Sequence, residues 1–128
     1  MHLRRYASAQ HASYVGVADD GRLVGCVHLN EMVQGALQSA YMAYFVFCPF
    51  EQTGVMHKLL AGIIQRAFDT HELHRVEANI QPANVRSKAL VERLGFRLEG
   101  FSPRYLKING TWCDHERYAL TTEDWARA

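Results

Sequence analysis

Charge of one sign is what this chain most plainly lacks: 14 Lys and Arg stand against 13 Asp and Glu, a formal net charge of +1. No broad basic field exists to hold nucleic acid or an anionic membrane, so recognition has to be local. Cysteine is scarce too. Cys26, Cys48 and Cys113 are odd in number, widely spaced and set among apolar residues, which argues against a disulfide frame and suits reduced, core-filling thiols in a cytoplasmic protein. No run approaches the ~18 consecutive apolar residues of a membrane span, and MHLRRYASAQHAS lacks the long apolar centre of a secretion signal. No repeat, linker or low-complexity stretch divides the chain. What is there is 128 residues, 48% hydrophobic and 21% charged, which is enough for a single domain over residues 1–128 with a real core.

Local signals then order the elements. YVGVA at Tyr14 to Ala18 meets Asp19-Asp20-Gly21-Arg22, and LVGCVHL resumes at Leu23, the pattern of a hairpin. The aromatic and branched run from Ser39 to Phe47 predicts a central strand, closed at Cys48-Pro49 because proline breaks a ladder. The period then changes. Met56, Leu59, Leu60, Ile63, Ile64, Ala67 and Phe68 follow i, i+3, i+4 spacing, so a helix runs from near Gly54 to near Thr70. His74 to Ile80 predicts a short strand. A second helix follows, capped by Asn84 and ended by Gly95. Phe96 to Ile108 and Thr111 to Leu120 flank Asn109-Gly110, a strong hairpin signal. The expected order is strand, strand, strand, helix, strand, helix, strand, strand: an α/β fold with one mixed sheet and helices packed on it. Residues 1–13 read as a helix fragment.

Chemistry concentrates in two places. One is the strand-loop-helix FVFCPFEQTGVM, Phe45 to Met56, where free N–H groups and the positive dipole end of a helix favour phosphate. The other is NVRSKALVERLGFRLEG, Asn84 to Gly100, in which a capping amide is followed three residues on by a hydroxyl. A cap accounts for Asn84 alone. Asn84, Ser87, Leu90, Arg93, Gly95 and Phe96 together resemble the N-x-x-S-x-x-L-x-x-x-L-G-F block of the GNAT acetyltransferases, and EGFSPRYLKINGTWCDHERYALTTEDW is similar to the RimJ/RimL-like branch. The resemblance covers Tyr14 to Trp125 and is most specific from Asn84 onward.

This resemblance implies a GNAT-like fold and transfer of an acetyl group from acetyl-CoA to a primary amine, on a protein N-terminus or a small molecule, by direct attack on the thioester. It implies cofactor contacts at Val46 and Phe47, at Gln52, Thr53, Gly54, Val55 and Met56, and at Asn84. Glu51, Gly54 and Met56 stand at the Q/R-x-x-G-x-G/A positions, and two of them depart from the pattern. A carboxylate at Glu51 repels phosphate at close range, and Met56 stands where the family has a small residue. Ser87 falls near the thioester sulfur, and Val91 occupies the place where many relatives carry an acidic tyrosine, so Ser87 inherits the role of acid. For the base the candidates are Glu77 and Asn79, on one face of a strand, and Asp114 and His115. An imidazole ordinarily titrates in the useful range. The catalytic set is therefore Ser87, Glu77 and His115. No metal is expected, because His71 and His74 in HELH lie three apart rather than at the i, i+4 spacing of a zinc helix.

Relatives begin with a strand and two helices ahead of the first hairpin seen here. Arg4 to Ser13 stands only for the tail of the second helix, so the sheet is expected to lack an edge strand and some cover, and a second copy of the chain to supply it as a homo-oligomer. The competing reading is a catalytically weak CoA-binding or protein-interaction module derived from an acetyltransferase. Glu51, Val91 and the missing front end favour it, and the Asn84 to Trp125 block favours the enzyme.

Overall fold

The computed structural model describes residues 1–51 and 53–125. Strands β1 (His2–Ala7), β2 (Ala12–Val17), β3 (Leu23–Val33), β4 (Ser39–Val46), β5 (Arg75–Ile80), β6 (Arg97–Ile108) and β7 (Thr111–Thr121) are joined by helices α1 (Val55–Asp69) and α2 (Val85–Arg93), and α3 (Thr122–Trp125) follows β7. All seven strands form one sheet in the order β1-β2-β3-β4-β5-β7-β6. Every neighbouring pair is antiparallel except β4 and β5, which run parallel on either side of the α1 crossover. The turns obey their sequence signals. Asn109 and Gly110 take φ of +50° and +81°, the pair of left-handed residues that a two-residue hairpin turn requires.

One face of the sheet carries the core. The apolar stripe of α1, from Met56 through Leu60 and Ile64 to Ala67, is buried against Val27 and Leu29 of β3 and Val76 and Ala78 of β5. From α2, Val91 enters the same cluster with no exposure, so the position where a hydroxyl is missing is a core position. The opposite face of β2, β3, β4 and β5 has no helix over it among the described residues. Phe45 is 60% exposed there, and Tyr6 of β1 is 62% exposed. Among the described residues no helix is long and apolar enough to cross a membrane.

The first thirteen residues are not helical. His2–Ala7 is a strand paired antiparallel with β2 from His2↔Val17 to Ala7↔Ala12, and Ser8 N–H donates to the His11 carbonyl at 2.7 Å in the turn between them. The reason lies in β2, whose outer edge would otherwise present a row of unpaired N–H and C=O groups. An extended chain satisfies that row, and Leu3 still leans on the core. The edge strand expected to be missing is thus supplied locally, and the element order gains one strand at the front and α3 at the end.

An ion-pair network ties β5, β7 and β6 together. The Arg75 guanidinium bonds Glu99, with its Nη1 at 3.2 Å, and also reaches Glu77 at 3.5 Å, while Arg97 approaches Glu99 at 3.3 Å. Arg75, opposed by partial burial and helped by Arg97, holds the Glu99 carboxyl below the usual glutamate range. A depressed folded value stabilises the protein above the ordinary glutamate range, and that contribution is lost as pH falls through the folded value. Glu99→Gln is expected to lower unfolding stability by about 1 kcal/mol near neutral pH and to match the parent in acid. Urea titrations across that range check the convergence.

Candidate functional site

The parallel contact between β4 and β5 lasts only three pairs, Ser39↔Arg75, Ala40↔Val76 and Tyr41↔Glu77. Beyond Tyr41 the two strands diverge. Phe47 N–H donates to the Val24 carbonyl at 2.8 Å, so it faces β3. Backbone groups alternate sides along a strand, so the N–H groups of Tyr44 and Val46 face the gap that β5 has left. The gap is a slot of about 180 Å³ whose walls include Ala43 to Phe45 of β4, Ala78 to Ile80 of β5, Ser87 and His115.

On the helix-covered side the slot opens into a groove of about 520 Å³ between β4, the start of α1 and α2. Gly54 precedes α1 with φ of +81° and no side-chain cap. A Cβ added there would meet nothing within 4 Å; the glycine is needed for its left-handed backbone, not for space. The first turn of α1 has no acidic residue, which leaves a positive dipole end and exposed donors. His57, Arg86 and Arg93 line the same groove. Arg86, Leu90 and Arg93 follow i, i+4, i+7 spacing, which sets them on one side of α2. Glu51 also lines this groove.

At the slot itself two hydroxyls meet. Asn84 Oδ1 caps α2 by accepting Ser87 N–H at 3.2 Å, and Ser87 Oγ is bonded to the Tyr44 hydroxyl. Burial pushes the Tyr44 phenol up, partly offset by that bond to Ser87. From the uncovered side comes His115, only 3% exposed and set edge-on to Tyr105 at a centroid distance of 5.7 Å. Its Nδ1 lies 3.0 Å from the Cys113 carbonyl. A carbonyl only accepts, so Nδ1 carries a proton, and in the neutral imidazole Nε2 is then the nitrogen with the lone pair.

The structure therefore brings Ser87, His115, Asn79 and Asn84 to one slot, with Val46, Gly54 and Met56 along the adjoining groove. Other expected residues stand elsewhere. Glu77 is held by Arg75 at 3.5 Å and Arg117 at 3.8 Å, and Asp114 accepts the Arg104 N–H at 2.8 Å. The Phe47 N–H is turned away, and Thr53 Oγ1 donates to the Phe50 carbonyl at 2.6 Å while lying 3.4 Å from the Val55 N–H. Gln52 lies outside the described residues. His71 and His74 are engaged separately, by the Tyr14 hydroxyl at 2.7 Å and by Glu123 at 2.8 Å, and no cluster of three or more His, Cys, Asp or Glu suited to a metal occurs among the described residues. Sequence reasoning missed Tyr44, His57 and Arg86. The helical spacing of Arg86 and Arg93 was a usable signal, whereas nothing local marks Tyr44.

Comparison with known proteins gives concordant matches. The family profile described as Acetyltransferase (GNAT) domain matches residues 2–97. The chain is 37% identical over 107 residues to the "Probable N-acetyltransferase YjcK" of Bacillus subtilis, covering 84% of this chain and 59% of that protein. It is 36% identical over 116 residues to the "[Ribosomal protein uS5]-alanine N-acetyltransferase" of Escherichia coli, covering 89% and 60%. The chain thus spans about three fifths of the length of these relatives. Among solved structures, Mycobacterium smegmatis RimJ in complex with CoA-disulfide superposes with a TM-score of 0.83 at 35% identity, covering 89% of this chain and 54% of that one. The ribosomal-protein-S5-alanine acetyltransferase of Vibrio fischeri gives 0.85 at 26% identity, covering 91% and 64%.

Substitutions at two positions test the groove. Gly54→Asp puts a carboxylate at the uncapped helix start and is expected to weaken binding of coenzyme A roughly tenfold or more, whereas Gly54→Asn, neutral and tolerant of positive φ, should lose much less. Glu51→Gln is expected to tighten binding a few-fold by removing a like charge. Calorimetric titration reads both, and equal affinity for the two Gly54 variants would remove the helix start from the site.

Proposed function

The chain belongs to the GNAT acetyltransferase family, and from that premise we propose that it transfers an acetyl group from acetyl-CoA to a primary amine. The observation that carries the reading is the slot: an unpaired stretch of β4 with Ser87 on the helix-covered side and His115 on the uncovered side. An acyl transfer to an amine needs an acid at the leaving sulfur and a base at the attacking nitrogen, on opposite sides of the carbonyl carbon. The two residues suit those roles.

In the proposed step His115 Nε2 takes a proton from the amine as its nitrogen bonds to the carbonyl carbon. The Val46 N–H donates to the developing oxyanion, an interaction worth several kcal/mol when the donor is fixed in advance. Ser87, backed by Tyr44, gives its proton to the departing sulfur, so the C–S bond breaks and the thiol leaves. The pyrophosphate lies along the start of α1, with Arg86 and Arg93 as countercharge and the His57 ring beside them, and the pantetheine amides pair with the free edge of β4. Glu77, tied to two arginines, shapes the acceptor side and takes no proton. The Escherichia coli relative is named for a ribosomal protein alanine, which makes the α-amine of a protein N-terminus the first acceptor class to test and small-molecule amines the second.

One feature supports the competing reading of a weak CoA-binding module, the Glu51 carboxylate in the phosphate groove. A thiol-release assay against both amine classes separates the two: binding without release favours the module. If the enzyme reading holds, Ser87→Ala and His115→Asn each lower kcat about 10²-fold with little change in acetyl-CoA affinity. Parent-like turnover in both variants would dismiss these roles. The reading also includes self-association as a homo-oligomer, supported by apolar side chains that stay exposed at the β6–β7 end of the sheet, Phe101 and Trp112 among them. Sedimentation at micromolar concentration is expected to give a dimer, and a clean monomer would remove that part.

A further inference from the structure

A second constellation of nucleophile and base lies outside the slot, on the uncovered face of β2 and β3. Ser13 and His28 are directly opposed cross-strand partners, and Cys26, two residues before His28 on the same strand, shares its face. Ser13 Oγ is 2.8 Å from His28 Nδ1, and Cys26 Sγ is 3.7 Å from His28 Nε2. The imidazole is braced by the edge of the Phe45 ring at a centroid distance of 6.3 Å. A thiol, a base and a group that orients the base, each within reach of the next, is the arrangement that activates a nucleophile. We infer that Cys26, His28 and Ser13 form an acyl-accepting thiol site whose substrate is an acyl thioester.

The other two cysteines lack this company. Cys48 is exposed, and the Cys113 thiol donates to the Thr111 carbonyl at 3.4 Å. Burial holds the Cys26 thiol above its ordinary range, against a hydrogen bond from the Phe45 backbone that draws it down, so the resting group is S–H and a neighbouring base has work to do. With the His28 Nδ1 proton donated to Ser13 Oγ, Nε2 accepts the thiol proton as Cys26 Sγ attacks the carbonyl carbon. The new C–S bond forms, the old one breaks, and His28 returns the proton to the departing thiolate. The products are an S-acyl Cys26 and a free thiol, with no oxidant or reductant. Phe45 also lines the slot, so this thiol sits one strand away from it. The chemistry does not depend on the function proposed for the slot.

The test uses a small acetyl thioester, S-acetyl-N-acetylcysteamine, which carries no nucleotide, with site-resolved peptide mass spectrometry in time course. Acetylation is expected at Cys26 ahead of the more exposed Cys48. His28→Asn should slow the Cys26 reaction about tenfold or more and leave the Cys48 rate unchanged, the latter also reporting an intact fold. Ser13→Ala should slow Cys26 a few-fold, with recovery in Ser13→Thr, because the hydroxyl orients the base. Labelling of Cys48 first, or a Cys26 rate indifferent to His28→Asn, overturns the inference. Failure here leaves the amine-transfer reading untouched, since that is read by amine-dependent thiol release with Ser87 and His115 variants.

Discussion

The structure turns on a contact that stops early. Three parallel pairs between β4 and β5 hold the two halves of the sheet together, and past Tyr41 the strands separate while their antiparallel neighbours remain paired. Unpaired backbone groups inside a sheet call for partners, and in the proposed function a ligand rich in amides and carbonyls supplies them. Around the gap the helices are fixed by packing and capping: Ile63, Ile64 and Val91 are buried with no exposure, and the Asn84 cap sets the first turn of α2, with Ser87, at the slot.

From that gap the two faces of the sheet take different work. The covered face offers an uncapped helix start, two arginines and a histidine, a setting for phosphates. The uncovered face offers His115, with its proton fixed on Nδ1 by a carbonyl, beside a Glu77–Arg117 pair. In the proposed function, phosphate binding and proton transfer are thereby separated by the thickness of one sheet. The Cys26, His28 and Ser13 group belongs to this second face, and only register places it there, because a shift of one residue between β2 and β3 would turn Ser13 away.

Much of the fold was legible in the sequence because its signals are local. The Asn109-Gly110 turn, the α1 stripe and the Asn84 cap each involve residues within a few positions of one another, and each stands where local rules put it. Residues 2–7 were misread because an edge strand gets its stability from the neighbour it pairs with, not from its own pattern. The site was legible only in part. Asn84, Ser87 and Gly54 belong to motifs, but the Tyr44 to Ser87 bond joins residues 43 apart, and the ion pairs that hold Glu77 depend on which strands lie beside β5. No local rule reaches such pairings. Val91 shows the converse, since an apolar residue at a place expected to be chemical is explained by its burial.

The account stands or falls on the free edge of β4. Backbone amide resonances followed by NMR during titration with acetyl-CoA test it directly. The Tyr44 and Val46 amides should shift strongly and gain protection from hydrogen exchange, while Phe47, already donating to Val24, changes little. Saturable binding that leaves Tyr44 and Val46 unperturbed would contradict the account.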